Sequence, residues 1–340
     1  MTEKEQATVT HPRAFVAIRP EEFDRLFDAA TAAELERLTS LDRAVGAGKV
    51  ELPEDVADRY DVLITSWSTQ RFPPEQLQGD RLQLAVHAAG SVRGLFSRDS
   101  LGGRLRLAQG GADAMAVAVA ELSVTLALVL LRNVHTHDRG LQTTRDWVAG
   151  GRGMLGRSVH EQRVGIVGLS RVGRSAARMM AGLGVTRMSA YDPYAAPESA
   201  PGIALVDLDE LCRTSDVLLV CAPVTAETRG LLGAEQFAAL PDGAVLINAG
   251  RSAVTDEAAL VQELLTGRIS AGLDVFDTEP LPTDSPLFGR DNVVLTPHVA
   301  GGTTWSRHEQ GRVVVAEVGR FLRGERLAHE VTTANYDQLA

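Results

Sequence analysis

An arginine, an acid and a histidine recur late in this chain, in settings that suit proton transfer to a bound anion. The segments are Asn248-Ala249-Gly250-Arg251, Asp274-Val275-Phe276-Asp277-Thr278-Glu279-Pro280 and Thr296-Pro297-His298. The planar fork of an arginine grips a carboxylate in two places. The unperturbed pKa of histidine lies near neutral pH, so the ring can give and take a proton. A carboxylate beside the ring fixes its orientation and stabilises its charged form. Arg251, Glu279 and His298 can fill these three roles, with Asp277 as a rival acid two residues before Glu279. Reducing a 2-keto acid needs this pair of functions, an anion anchor and a proton donor beside the ketone oxygen.

A hydride carrier is suggested upstream. Val164-Gly165-Ile166-Val167 runs into Gly168-Leu169-Ser170-Arg171-Val172-Gly173 and then a helical pattern. The spacing is G-x-G-x-x-G except that Ser170 stands at the second glycine. A glycine there lets the backbone approach a pyrophosphate at the positive end of the helix. A serine adds a side chain, with a hydroxyl able to bond a phosphate oxygen. Asp192, at the end of the next expected strand in Tyr191-Asp192-Pro193, suits the adenosine ribose hydroxyls and repels a 2′-phosphate. The nearest arginine, Arg187, precedes it, so NAD is expected rather than NADP.

These residues need a frame. Strands are expected at 14–18, 61–65 and 82–87, with acidic helical segments over 21–38. A second alternation begins at Arg163, with strands at 163–167, 187–191, 217–221, 244–248, 270–274 and 292–295. Helices are expected at 171–183, 206–213, 233–239 and 256–266, and a last one near 305–323. The polar, Gly-rich stretch 136–156 reads as a connection over the surface. The expected fold is α/β in two domains. A Rossmann-type, doubly wound parallel sheet (114–300) is inserted into a flavodoxin-like substrate domain (1–113 and 301–340).

Composition narrows the partners. With 34 basic and 44 acidic residues the 340-residue chain carries a net charge of -10, which argues against nucleic acid. Cys212 and Cys221 show no metal or disulfide spacing and read as reduced residues of a cytoplasmic protein. The polar N-terminus lacks the apolar core of a signal peptide. The apolar run 114–131 is interrupted by Glu121, and a buried helix at a domain or subunit interface explains it better than a membrane span. His135 and His137 read as a surface pair rather than a metal site, and no metal is expected. His87 reads as a buried structural histidine. Trp147 and Trp305 read as packing residues or pocket walls.

From Leu82 to Thr303 the sequence resembles the D-isomer-specific 2-hydroxyacid dehydrogenase family. Its members include phosphoglycerate, glycerate, formate and phosphite dehydrogenases. VGIVGLSRVGR, YDPY, CAPVTAETRG, INAGRSAVTDEAAL, GLDVFDTEPLP and NVVLTPHVAG carry the likeness. The resemblance implies that Arg251 holds the substrate carboxylate and that Glu279 and His298 are the acid–base pair. Gly90, Ser91, Val92 and Arg93 match its substrate loop, with Arg93 available to an acidic substrate tail. With the loop residues Gly168, Ser170 and Gly173, the implied cofactor contacts are Arg171, Val172, Asp192, Ala222, Pro223, Thr228, Ala249, Gly250, Arg251, Asp274, His298 and Gly301. Asp274 would meet the nicotinamide amide. Ser170 is one departure, and Met115 is another, standing where the family usually has asparagine. The resemblance also implies a homodimer formed through the long apolar helix, and feedback control by an appended module is not expected.

The function implied is hydride transfer between NAD(H) and a small 2-keto or 2-hydroxy acid, D-specific. One alternative is a non-enzymatic NAD(H) sensor like the family's corepressor members. Another is a dehydrogenase of an unusual substrate such as phosphite. Glu279 argues against formate, because formate-type sites carry glutamine there.

Overall fold

Short aliphatic runs alternate with helices along most of the chain, and this alternation lays strands side by side in parallel. The computed structural model describes residues 11–151 and 155–336; residues 1–10, most of the polar N-terminus, lie outside the described residues. The chain divides into two compact units, Met1–Ala114 with Thr303–Ala340, and Met115–Gly302.

In the first unit the strands are β1 (Arg13–Ala17), β2 (Ser40–Arg43), β3 (Val62–Thr65), β4 (Leu84–His87) and β5 (Arg106–Gln109). The short β13 (Glu330–Val331) joins antiparallel to β5, giving the order β13-β5-β4-β3-β1-β2. The five parallel strands follow the flavodoxin-like order 2-1-3-4-5. Both faces are covered. Val62 and Ile64 of β3 join Phe23, Leu26, Val314 and Val318 on one side, while Leu63 joins Tyr60 and Phe96 on the other. That split is the two-residue period of a strand buried on both faces.

In the second unit β6 (Arg163–Val167), β7 (Arg187–Tyr191), β8 (Ala204–Leu205), β9 (Val217–Val220), β10 (Val245–Asn248), β11 (Ser270–Leu273) and β12 (Val293–Leu295) form one parallel sheet. Its order is β12-β11-β10-β9-β6-β7-β8, the doubly wound Rossmann arrangement with one strand added. The winding reverses between β6 and β9, so a ligand crevice is expected past Val167 and Val220. The helix Ala112–Leu131 sends Val124, Leu126, Ala127 and Leu130 into this unit's core. Gly272 on β11 admits it: a Cβ there would lie 2.9 Å from Leu126 Cβ. This helix is long and apolar enough to cross a membrane, yet 56% of its most apolar window is buried inside the protein.

The six strands expected from Arg163 onward are present with ends shifted by at most one residue, and the four helices between them with ends shifted by at most two. The surface connection expected over 136–156 is a correction. Helices Val134–Thr144 and Trp147–Gly151 occupy much of it. Its glycines serve close packing between these helices, since a Cβ on Gly140 would sit 2.7 Å from Gly150 O. Strands β2, β5, β8 and β13 were not expected from the sequence.

Candidate functional site

The β6–β9 crevice is built by glycines. Gly168 has φ +89°, and a Cβ on it would lie 2.6 Å from Ala222 Cα, so two chain segments touch there. A Cβ on Gly173 would lie 2.1 Å from Gly168 O, so only glycine lets the helix Arg171–Gly182 start this close to the turn. Ser170 caps that helix, accepting from Gly173 N at 3.4 Å and donating its hydroxyl proton to Cys221 O at 2.8 Å. The hydroxyl expected to meet a phosphate is thus engaged in joining the turn to the end of β9. The cradle of glycines and the opened helix N-terminus at Arg171 and Val172 fit a pyrophosphate.

Asp192 closes the turn from the other side. Its carboxylate accepts from Leu169 N at 2.8 Å and Tyr194 N at 2.9 Å. The Tyr194 hydroxyl donates to Glu227, and Glu227 followed by Asp192 holds its phenol pKa above the usual tyrosine range. Thr228 ties the next loop, donating to Pro223 O at 2.6 Å. Cys221 and Cys212 are buried free thiols, pushed up by burial to about 12 and about 11.

Past β10, Asn248 clamps the turn that carries the arginine. Its amide donates to Arg251 O at 3.0 Å and accepts from Gly250 N at 3.2 Å. Ala249 is buried, and Arg251 Nη1 donates to Gly250 O at 2.8 Å. Burial draws the Arg251 guanidinium pKa below the usual arginine value, and nearby Glu279 opposes this.

Glu279 is the acid on the histidine. Its Oε2 meets His298 Nδ1 at 2.7 Å, and its Oε1 accepts from Phe276 N at 3.0 Å. Partial burial raises the Glu279 pKa, but the bonds from His298 and the Phe276 N–H outweigh it and hold the carboxyl below the ordinary range. The rival Asp277 is exposed, and its backbone N–H donates to Glu257 at 2.7 Å. His298 has φ +52°, a conformation that costs energy for a side chain with a Cβ and that gathers at functional sites.

Asp274 holds that conformation. It has no exposed surface. Its Oδ1 accepts from the Thr296 hydroxyl at 2.5 Å and Val299 N at 2.9 Å, and its Oδ2 from Ala300 N at 2.9 Å. Its carbonyl accepts from His298 N at 2.9 Å. The carboxylate expected to meet a nicotinamide amide therefore lies beneath the histidine segment, bonded to it. Asp274→Ala would strip three donors, one of them on the buried Ala300, of their acceptor, a loss of about 2–4 kcal/mol. Thermal unfolding should detect this as a lowered midpoint, with Asp274→Asn intermediate because its amide oxygen still accepts. An unchanged midpoint in Asp274→Ala would refute the anchoring role.

Met115 lies against Gly301, where a Cβ would stand 2.9 Å from its Cε. Gly90, Ser91, Val92 and Arg93 belong to the other unit. There Val92 is buried, Ser91 Oγ accepts from Arg93 N at 3.4 Å, and Arg93 binds Tyr336 O at 3.3 Å with its guanidinium 5.8 Å from that ring. The arginine expected for an acidic tail is thus engaged by the C-terminal segment. His87 is 3% exposed and bonded to the Thr65 hydroxyl at 2.9 Å, a buried structural residue. His135 Nε2 donates to Asp291 O at 2.7 Å, and no metal-holding cluster occurs among the described residues. Trp147 and Trp305 are exposed. Asn248 and Thr296 were missed as positioning residues, although each sits inside a motif already singled out.

Residues 124–300 match the model described as D-isomer specific 2-hydroxyacid dehydrogenase, NAD binding domain. The chain is 30% identical over 308 residues to D-3-phosphoglycerate dehydrogenase of Methanocaldococcus jannaschii, covering 89% of this chain and 57% of that protein. It is 40% identical over 185 residues to glyoxylate/hydroxypyruvate reductase B of Pectobacterium atrosepticum, covering 53% of this chain and 58% of that one. The chain thus spans little more than half the length of these relatives. Among solved structures, the D-isomer specific 2-hydroxyacid dehydrogenase from Xanthobacter autotrophicus Py2, in complex with NADPH and MES, superposes with a TM-score of 0.75. The two are 27% identical, with 96% of this chain and 99% of that one covered.

Proposed function

Because this chain belongs to the D-isomer specific 2-hydroxyacid dehydrogenase family, whose NAD-binding domain its residues 124–300 match, we propose that it transfers hydride between NAD(H) and a small 2-keto or 2-hydroxy acid of D configuration. The observation that carries this reading is the 2.7 Å pair of His298 and Glu279, with Arg251 beside Glu279 in the unit that holds the glycine cradle.

When bound, the nicotinamide supplies or accepts the hydride. The protein does the rest. Arg251 grips the carboxylate and fixes the ketone. Glu279 takes the Nδ1 proton of His298 as a hydrogen bond, which leaves Nε2 to face the substrate. In reduction, Nε2 gives its proton to the ketone oxygen as the carbonyl carbon gains hydride, and a hydroxyl results. In oxidation His298 takes that proton back. Glu279 stays ionised throughout, because its bonds hold its pKa down.

NAD is the cofactor this reading assigns, with NADP disfavoured by two carboxylates. Asp192 and Glu227 both lie near Tyr194 and would repel a 2′-phosphate. Asp192→Ala should weaken NADH binding by about tenfold, as loss of charged hydrogen bonds predicts, and narrow the gap to NADPH. Fluorescence titration with both nucleotides checks it, and an unaltered ratio would count against the assignment. The part of the Ala112–Leu131 helix left outside the core supports pairing of two copies through it. Buried, free thiols support a cytoplasmic setting.

The decisive experiment follows NADH oxidation against glyoxylate, hydroxypyruvate, pyruvate, phenylpyruvate and 2-oxoglutarate. Turnover with any of them supports the dehydrogenase. Measurable NADH binding without turnover of any acid would overturn it.

A further inference from the structure

The segment that carries the acid of the Glu279–His298 pair is poorly fixed by its own backbone. Asp274 N still donates to Asn248 O at 3.0 Å. Beyond it, no backbone N–H from Val275 to Asp284 donates to a backbone carbonyl among the described residues. Phe276 is buried and roots the start of the segment, whereas Asp277 and Thr278 are exposed. Two carboxylates take the place of a ladder. Glu279 accepts from Phe276 N at 3.0 Å within the segment, and Glu257 accepts from Asp277 N at 2.7 Å from outside it. All these residues lie in the second unit.

Glu257 opens the helix Glu257–Thr266, whose Leu260 and Leu264 are buried in the core of this unit. An acid in a first helical turn ordinarily serves that helix, as a cap or against its dipole. Here the capping is done by Asp256, whose side chain accepts from Ala259 N at 3.0 Å. The Glu257 carboxylate instead turns to a loop N–H, and its charge makes that bond about twice as strong as a neutral one. The position is electrostatically unfavourable. Burial raises the Glu257 pKa, the Asp277 N–H opposes this, and the facing Asp277 and Glu279 carboxylates add to the rise. Packing alone would favour a neutral side chain there. What the carboxylate adds is a strong acceptor, on a rigid helix, for a segment that lacks one.

We infer that Glu257 is a positioning residue for the acid–base pair: through the Asp277 N–H it fixes the exposed turn before Glu279, and so keeps Glu279 on His298 Nδ1. Its effect on turnover rests on the dehydrogenase reading, and its tie to the segment does not. It acts through Glu279 alone.

Two variants test the tie. Glu257→Gln keeps an oxygen that can accept from Asp277 N–H, and Glu257→Ala keeps none. The first readout needs no turnover. With isotope-labelled histidine at alkaline pH, nitrogen NMR shifts tell which nitrogen of the neutral His298 ring carries the proton, and His298→Ala assigns the signal. In the parent protein and in Glu257→Gln the proton should sit on Nδ1, against Glu279. In Glu257→Ala the ring should move toward the Nε2–H form that free histidine favours in water. The second readout is keto-acid reduction by NADH. Glu257→Ala should lower kcat about tenfold with KM little changed, as loss of a charged hydrogen bond to the segment predicts. Glu257→Gln should stay within about threefold of the parent, its neutral acceptor restoring most of the tie. Unaltered nitrogen shifts in Glu257→Ala, equal losses in the two variants, or a parent ring protonated on Nε2 would each overturn the positioning role. Absence of turnover in the parent protein tells instead against the dehydrogenase reading, and the nitrogen shifts then still decide the tie.

Discussion

Replacing His298 by alanine is expected to lower keto-acid turnover by about 10²–10⁴-fold, the range for a lost general acid–base group, while NADH binding is retained. The expectation follows from geometry. Nδ1 is committed to Glu279 at 2.7 Å, the ring is half exposed, and its backbone is held at φ +52° by Asp274 and its neighbours. Alanine removes the proton donor and leaves the bonds of Asp274 in place. The partner acid sets the low-pH limit. The folded-state pKa of Glu279 lies below the unfolded value, so its contribution to stability is complete above about 4.5. That contribution is lost as pH falls through the depressed folded value, and the support for a charged His298 goes with it. Steady-state kinetics beside a nucleotide titration separates the two effects. Near-normal turnover in His298→Ala would remove the histidine from the chemistry.

Replacing Arg251 by alanine should act on the other parameter. A bidentate, charge-assisted grip on a carboxylate is worth about 2–3 kcal/mol, which predicts a KM raised by about 30- to 150-fold with a smaller change in kcat. Arg251 suits the role because Asn248 fixes its turn at both ends and its guanidinium is partly buried beside Glu279. Few internal bonds depend on it, since its recorded side-chain bond is to Gly250 O, so the fold should tolerate the change. Lysine should restore charge without restoring the fork, and so recover only part of the affinity. An unchanged KM in Arg251→Ala would mean that the anchor lies elsewhere.

Much of the frame was legible because it is local. The strand Arg163–Val167, the Gly168–Gly173 turn and the helix Arg171–Gly182 are contiguous, and their periodicity and glycine spacing state the structure outright. Of the four strands that escaped, β5 lies inside its sheet, and the other three were short, marginal ones. β2 is the four-residue edge segment SLDR with no buried residue, β8 is an edge of two residues, and β13 is two residues beside β5. Such segments are specified by their neighbours rather than by their own pattern. The helices within 134–151 escaped for the opposite reason. Gly140 and Gly150 look like loop residues in sequence, and their use in helix–helix approach exists only when both helices are present.

The sequence by itself determined the chemical inventory and its order: a glycine turn, an acid after the second strand, an arginine, a carboxylate and a histidine. Residue type settles what each can donate, accept or carry, and local spacing settles which element bears it. Tertiary structure decided how these groups are spent. Glu279 and His298 are 19 residues apart, and only the packing of the β11–β12 segment brings Glu279, rather than Asp277, against the ring. Folding also committed Ser170 to Cys221 O, Asp274 to the histidine segment and Arg93 to Tyr336. A hydrogen bond depends on distances of a few tenths of an ångström between distant parts of the chain, and no sequence pattern encodes such distances.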